Sequence, residues 1–447
     1  MKVLKFGGTS VGSVENLKLV TNILTKDNET KIVVCSAMSG VTDHLVRLTD
    51  NIKFADSEAI TKNLDALEKK HFELISSLIQ VEATRNFLFD KVSSIITNLF
   101  DLSCQKYSEE ITSVIITSGE TLLTEIFAEY LKESGYSIQL LYARDFMYVD
   151  NVEHPNIDNV GQKLKKQIQS LPEATIYLTQ GFVCRNKKNE ISHLKRGGSD
   201  YTATIIGAAI DATEIQIWTD IDGLHNNDPR YVQDTHPIAH LTYNEAAELA
   251  YFGAKILHPQ TVSPVVEKEI PVLLKNTFNP DAQGTVISSE IGNKGLKAIS
   301  AKDGITAIKI KSNRMLMAHG FLRRIFEVFD KFETAIDMIT TSEIAISLTI
   351  DDARNLEEIT KEIKHHANIT VQAGYSIICI VGESVINDKN TSKLFDILNH
   401  IPVRMISYGG SNNNISLLVE TDKKIETLQF LNDKLFANTI LPELVSN

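Results

Sequence analysis

Through its first 290 residues the chain alternates short runs of β-branched and aliphatic residues with longer stretches of helical periodicity. Val3-Leu4, Lys31-Ile32-Val33-Val34-Cys35-Ser36, Val114-Ile115-Ile116, Ile176-Tyr177-Leu178, Ile215-Gln216-Ile217-Trp218 and Val272-Leu273-Leu274 read as buried strands. Between them lie helical patterns. In 119–134, Leu122, Ile126, Phe127, Tyr130 and Leu131 share one face, and Gly135 follows as a stop. Strands separated by helices predict parallel pairing and an α/β sandwich. Residues 55–108 carry no strand pattern and are expected to form a helical insertion over one end of the sheet.

The pattern changes at 289–304, where Ser-Glu-Ile-Gly-Asn-Lys-Gly-Leu-Lys precedes Ala-Lys-Asp-Gly, and 291–304 reads as a linker. An internal repeat follows. Arg324–Phe329 resembles Lys393–Leu398, Met338-Ile339 matches Met405-Ile406, and Ile346-Ser347-Leu348 matches Ile415-Ser416-Leu417, at offsets of 67 to 69 residues. Each copy reads helix, strand, strand, helix, with one further strand before it. The period is longer than that of solenoid repeats, so two small α+β domains are expected, about 305–375 and 376–447, with interleaving left open.

Composition narrows the function classes. Hydrophobic content of 43% and charged content of 23% fit a soluble globular protein. The net charge of −12 argues against a general nucleic-acid binder and against anionic membrane surfaces. No apolar run reads as a membrane span, and no signal-peptide core precedes the first strand, so a cytoplasmic location is expected. Cys35, Cys104, Cys184 and Cys379 are scattered, with no C-x-x-C pair, as expected of reduced thiols.

The candidate chemistry begins at Lys5-Phe6-Gly7-Gly8-Thr9-Ser10, where the first strand runs into adjacent glycines beside a lysine. Such glycines let backbone N–H groups approach an anion that a side chain would block. No glycines are spaced as G-x-G, and Ser13 follows Gly12 where a Walker loop has lysine, so the common nucleotide motifs are excluded. A distributed constellation remains at the carboxyl ends of predicted strands, where open α/β sheets place ligands. It comprises Lys5–Ser10, Ser36–Asp43, Thr117–Glu120, Arg196–Asp200, Trp218–Gly223 and Asp228-Pro229-Arg230. Taken singly, each has an ordinary structural explanation: a tight turn at Gly7-Gly8, a helix cap at Ser199-Asp200, a first-turn carboxylate at Glu120, a surface charge at Arg196, turn residues at Asp220 and Asp222. Their shared placement favours one site. His236 and His240 are four apart, but Pro237 and the lack of a third ligand argue against metal; no protein metal site is expected.

These motifs, in this order, resemble the aspartokinases. The matching pieces are Lys5–Val11, Gln180-Gly181-Phe182, Gly197–Ala203, Trp218-Thr219-Asp220, Asp228-Pro229-Arg230, Phe252–Lys255, Leu257-His258-Pro259 and Ile339–Glu343. The resemblance implies an amino-acid-kinase αβα sandwich over 1–290 and tandem ferredoxin-like ACT domains over 305–447. It implies ATP- and Mg²⁺-dependent phosphorylation of the L-aspartate side chain, opening lysine, threonine and methionine synthesis. By the same resemblance, Lys5 and Asp200 are catalytic. Lys5, Gly7, Gly8, Thr219, Asp220, His225, Arg230, Lys255 and Ile256 line the ATP site, with Mg²⁺ held mainly through the phosphates. Thr42, Glu120, Arg196 and Ser199 bind aspartate, Arg196 clamping a carboxylate and Glu120 taking the ammonium.

His225 stands where the family usually has tyrosine. For an end-product effector, lysine first, the matching positions are Met315, Gly320, Phe321, Leu322, Asp337, Thr341, Ser342, Glu343 and Ile344, with Asp337 meeting its ammonium. Met317, Ala318 and Ala335 depart from the polar residues of the lysine-sensitive branch. A homo-oligomer through the ACT domains is expected. Two other readings remain: another amino-acid kinase, acting on glutamate, acetylglutamate, carbamate or UMP, and a non-catalytic ACT sensor. The tandem repeat with Thr340–Glu343 argues against the first, and the Lys5, Arg196 and Asp200 set against the second.

Overall fold

A computed structural model describes residues 1–195, 197–253, 259–292, 295–311, 320–387 and 391–436. The chain forms two compact units. The first comprises Met1–Leu224, Ala239–Tyr243 and Leu257–Ser289, and the second His225–Ile238, Asn244–Ile256 and Glu290–Asn447.

The strands of the first unit are β1 (Lys2–Phe6), β2 (Lys31–Cys35), β3 (Ile138–Leu141), β4 (Ile176–Gln180), β5 (Val183–Arg185), β6 (Ile191–His193), β7 (Ile215–Thr219), β8 (His240–Thr242), β9 (Val272–Asn276) and β10 (Thr285–Ser288). Eight of them form one sheet in the order β3-β4-β2-β1-β7-β9-β10-β8, and β5 and β6 form a small hairpin. Pairing is parallel except between β9 and β10. β1 is central, with Lys5 opposite Val34 and Ile217. Val3, Phe6, Ile32, Val33 and Val34 have no exposed surface. Burial on both faces is why these strands read as continuous apolar runs.

The helices of this unit are α1 (Val14–Leu24), α2 (Val41–Lys53), α3 (Ser57–Leu78), α4 (Glu82–Ser103), α5 (Glu109–Ile116), α6 (Ser118–Glu133), α7 (Ala143–Phe146), α8 (Ile157–Gln169), α9 (Gly198–Ala209) and α11 (Pro259–Val266), while α10 (Tyr243–Tyr251) belongs from Asn244 onward to the second unit. The expected helical insertion is the pair α3 and α4. Leu64, Leu67, Leu74, Val92 and Leu99 from these helices join the same core as Val33 and Leu178 of the sheet.

Two expectations fail here. Val114-Ile115-Ile116 is helix, not strand, so Thr117–Glu120 follow a helix rather than a strand. Ser108 caps α5 by accepting from the Ile111 N–H, and Glu109 and Glu110 favour its first turn. The α5–α6 segment Glu109–Glu133 is also long and apolar enough to cross a membrane, contrary to the sequence reading, but 78% of its apolar window is buried in this unit.

In the second unit, β11 (Gly295–Lys311), β12 (Met338–Thr341), β13 (Ala345–Ile350), β14 (Asn368–Glu383), β15 (Met405–Ser407) and β16 (Asn414–Glu420) form one sheet in the order β12-β13-β11-β14-β16-β15. The helices are α12 (Phe321–Lys331), α13 (Leu356–Lys364), α14 (Thr391–Leu398) and α15 (Lys424–Leu435). From Gly295 onward the expected linker is strand. The long antiparallel pair β11 and β14 runs through both repeat copies. Ile308, Ile310, Phe321, Phe329, Leu348 and Ile363 form the core of one lobe. Ile299, Ile378, Leu394, Leu417 and Leu431 form the other. Each lobe therefore takes half of each long strand, and 295–302 serves the lobe that otherwise follows residue 375.

The long pair tolerates no side chain at Gly382, whose added Cβ would lie 2.0 Å from the Gly295 carbonyl oxygen. Gly382→Ala is expected to destabilise the second unit by about 1–3 kcal/mol. Denaturant unfolding followed by a probe in that unit checks this; an unchanged midpoint would show that the strands can part without cost.

Candidate active site

The carboxyl ends of β1 and β2 and the first turns of α2, α6 and α9 surround a cavity of about 240 Å³. Lys5, Ser36, Thr42, Glu120, Phe182, Lys195, Gly197, Gly198, Ser199 and Asp200 line it. The local backbone explains the convergence. Gly40 and Gly197, both at positive φ, begin α2 and α9 and turn those helix N-termini into the cavity. Gly8 makes a close approach: its carbonyl accepts from the Ser39 N–H at 3.1 Å, and a Cβ there would meet the Ala37 oxygen at 2.9 Å. The loops after β1 and β2 can lie this close only with glycine at position 8.

Lys5 and Asp200 form the centre of charge. Nζ lies 2.6 Å from Asp200 Oδ1, and both side chains are about nine-tenths buried. Helix N-termini add positive potential. Lys195 adds a second cation at the rim. Asp200 offsets the charge of Lys5, so Lys195 and the helix N-termini make the cavity suited to an anion, and Glu120 is the acidic group without a paired cation among the described residues. Glu120 is 3% exposed, and its Oε2 accepts no hydrogen bond among the described residues. Burial pushes its carboxyl up to about 8, against the opposing pull of the Glu120 and Ala37 backbone N–H groups. A buried, under-satisfied carboxyl in an electropositive cavity calls for a cationic donor.

Of the expected site residues, the structure brings Lys5, Thr42, Glu120, Ser199 and Asp200 together. Gly7 lies beside Lys5, its N–H donating to the Trp218 carbonyl at 3.1 Å. Thr219 and Asp220 close β7, the Thr219 hydroxyl donating to Asp220 Oδ1 at 3.1 Å. His225 and Arg230 belong to the second unit. There His225 Nδ1 lies 3.0 Å from the Thr235 hydroxyl, and Arg230 makes a two-pronged contact with Asp228, Nε to Oδ1 at 2.9 Å and Nη2 to Oδ2 at 2.6 Å. The segment that carries them is fastened within that unit, since the Ile299 N–H donates to the Asn226 carbonyl at 2.8 Å. Arg196, Lys255, Ile256 and Met315 lie outside the described residues.

Sequence reasoning placed Ser36 in a candidate segment and Phe182 in a matching motif without giving either a role, and it missed Lys195 as a lining residue. The signal for Lys195 was its place beside Arg196, directly before the glycines. No three His, Cys, Asp or Glu side chains gather into a metal site among the described residues.

The expected effector positions fall in the first-repeat lobe. Gly320, at positive φ, begins α12. Phe321 is buried in the lobe core and Leu322 is exposed. Thr341 ends β12, and Ser342, Glu343 and Ile344 form the exposed connection to β13, where the Ser342 N–H donates to the Ala345 carbonyl at 2.8 Å. Asp337 precedes β12, and its side chain has no exposed surface. Burial pushes its carboxyl up, opposed by the Lys302 ammonium 2.7 Å away.

The model of the amino acid kinase family matches residues 1–276, and that of the ACT domain residues 378–435. Lysine-sensitive aspartokinase 3 of Escherichia coli is 30% identical, over 97% of this chain and 99% of its own length. The structure of E. coli aspartokinase III with aspartate and ADP, described as the R-state, superposes with a TM-score of 0.87 at 29% identity, covering 98% of this chain and all of that one. The same enzyme with lysine and aspartate, described as the T-state, gives a TM-score of 0.79 at 29% identity, over 98% of this chain and 99% of that one.

The raised Glu120 carboxyl predicts a pH signature. Folded protein holds this proton up to about pH 8, whereas the unfolded chain releases it near the ordinary value of 4.5. The stability it contributes is complete below pH 4.5 and is lost as pH rises to about 8. Unfolding free energies between pH 5 and 9 should therefore fall for the wild type relative to Glu120→Gln. A constant difference between the two would contradict the shift.

Proposed function

The chain belongs to the aspartokinases of the amino acid kinase family, and from that premise we propose how its residues carry the γ-phosphoryl group of ATP to L-aspartate. The enzyme is an aspartate kinase. A side-chain carboxylate oxygen attacks the γ-phosphorus, the bond to the β-phosphate oxygen breaks, and 4-phospho-L-aspartate and ADP result.

The observation that carries the residue assignment is the pairing of opposite demands in one cavity. Lys5 supplies a cation where β1 ends, and Glu120 supplies a buried carboxyl whose Oε2 has no donor among the described residues. An α-amino acid with a second carboxylate meets both. Its ammonium takes Glu120, its carboxylates take the helix N-termini with Thr42, Ser199 and Arg196, and its side chain faces Lys5. The transfer spreads negative charge over the phosphoryl oxygens, so catalysis is mainly positioning and electrostatics. Lys5 and the Gly8 N–H stabilise that charge, Gly7 lets the phosphates approach while its own N–H stays on the Trp218 carbonyl, and Asp200 holds Lys5 in place.

Thr219, Asp220, His225, Arg230, Lys255 and Ile256 take the nucleotide. Magnesium would neutralise the phosphate oxygens. It would be carried by the ATP phosphates, with Asp200 the carboxylate on this chain suited to meet it.

The repeat lobes regulate. We assign lysine as effector, meeting Asp337 through its ammonium, with the backbone near Gly320 and Phe321 taking its carboxylate and Met315, Leu322, Thr341, Ser342, Glu343 and Ile344 completing the site. In support, the E. coli relative is lysine-sensitive and has been solved with lysine. Assembly through the ACT lobes is favoured by the exposed apolar side chains Leu322, Phe326, Ile339 and Ile344. The reading includes a cytoplasmic enzyme with reduced cysteines.

Purified protein given Mg-ATP, carboxylic amino acids in turn and hydroxylamine should yield hydroxamate with aspartate. Its absence with aspartate would refute the assignment, and product with glutamate instead would move the enzyme to another branch. Lys5→Ala should lower the rate by about 10²–10³; turnover at the normal rate would remove Lys5 from catalysis.

Aspartate binding makes a separate prediction. Placing an ammonium against Glu120 draws its carboxyl back toward the ordinary range, so binding near pH 7 releases a proton. Calorimetry in buffers of different ionisation enthalpy should detect the release in the wild type and not in Glu120→Gln. Equal heats across buffers for the wild type would mean that the ammonium lies elsewhere.

A further inference from the structure

The environment of Asp337 contains an ammonium supplied by the chain itself. Lys302 Nζ lies 2.7 Å from Asp337 Oδ1 and 2.8 Å from Asp351 Oδ2. It also sits 4.4 Å from the centroid of the Tyr251 ring, and the Tyr251 hydroxyl donates to Asp337 Oδ1 at 3.0 Å. Two carboxylates and an aromatic face are the groups with which proteins recognise a free ammonium. Covered in this way, Asp337 has no exposed side-chain surface. Its Oδ2, equally buried, accepts no hydrogen bond among the described residues.

The backbone aims Lys302 at this place. The pairing of β11 with β14 shifts register between Lys302 and Ile305, and Gly304 within the shift has φ of +78°. Such an irregularity re-aims the side chain beside it. On the other side, Gly253 makes the close approach to β11 that brings the end of α10 and Tyr251 in, since a Cβ there would lie 2.0 Å from the Ala301 oxygen.

We propose that Lys302 is an intramolecular competitor for the effector: its ammonium occupies Asp337, and an effector amino acid binds by displacing it. This rests on the reading of Asp337 as the effector's ammonium partner. Asp351, about one-third exposed, keeps Lys302 paired after displacement, so no charge is stranded. One lysine against two aspartates leaves a net negative charge, which one further ammonium neutralises. An α-ammonium brings three donors and supplies the one that Oδ2 lacks. Because only molecules with Asp337 uncovered can bind, apparent affinity falls by the fraction in which Lys302 is out of the way. Lys302 thereby sets the effector concentration at which feedback begins.

The test uses the full-length enzyme, L-lysine as the probe, inhibition of aspartyl hydroxamate formation, and calorimetric binding. Each variant's rate without lysine reports that its catalytic unit is folded. Lys302→Met should lower the lysine concentration for half-inhibition at least about fivefold. Lys302→Arg keeps the charge and offers a planar fork to both carboxylates, so it should raise that concentration. The arginine variant also keeps the test decisive if the methionine variant does not fold.

If Lys302→Met is inhibited at the wild-type concentration or a higher one, or Lys302→Arg leaves it unchanged, the competitor role is overturned. Asp337→Asn separates the two levels of the argument. If it abolishes lysine binding while Lys302→Met binds no tighter, the competitor role alone fails. If Asp337→Asn binds lysine as the wild type does, or neither the wild type nor Lys302→Met binds it, the effector reading fails and the competitor role with it.

Discussion

The contact between Lys5 and Asp200 is the constraint on which the site depends. One partner ends the central strand of a parallel sheet, and the other opens a helix almost two hundred residues later. Their approach to 2.6 Å requires β1, β2 and β7 in register and α9 turned inward at Gly197. A buried ion pair of this kind is weak evidence of stability, since desolvation offsets much of the attraction. Its value lies in fixing a cation at one point. Phosphoryl transfer needs charge held in place more than it needs a reactive side chain.

Around that fixed charge the cavity is electropositive, and Glu120 is the deliberate exception. A carboxyl buried without a full set of donors costs stability when ionised, and the protein accommodates it by keeping the proton. In the proposed mode of binding, a substrate ammonium resolves the same conflict. On that reading Glu120 is the group that distinguishes an amino acid from a simple dicarboxylate. The second unit handles Asp337 in the opposite way, by covering a buried carboxylate with a lysine of its own. In each unit burial has made an acid costly to ionise, and on the proposed reading an ammonium is what each acid meets.

The legible parts of the fold were those where local pattern and burial coincide. β1, β2, β4, β7 and β9 are covered on both faces and read as apolar runs. The failures have definite causes. Val114-Ile115-Ile116 is a β-branched run that the Ser108 cap and adjoining glutamates commit to helix. The polar, glycine-marked stretch 295–304 is strand because it pairs with β14, a partner about eighty residues distant. In the site, Lys5, Thr42, Glu120, Ser199 and Asp200 could be named because each sits in a short motif at a strand end or helix start. Lys302, Tyr251 and Asp351 could not, because β11, the end of α10 and the end of β13 meet only in the folded chain.

The most direct test of the central claim is a crystal structure of this enzyme with L-aspartate and ADP. The account predicts aspartate in the cavity bounded by Lys5, Glu120 and Ser199, its ammonium within hydrogen-bonding distance of Glu120 and its side-chain carboxylate directed toward Lys5. Aspartate bound elsewhere, or bound with a carboxylate against Glu120, would contradict it.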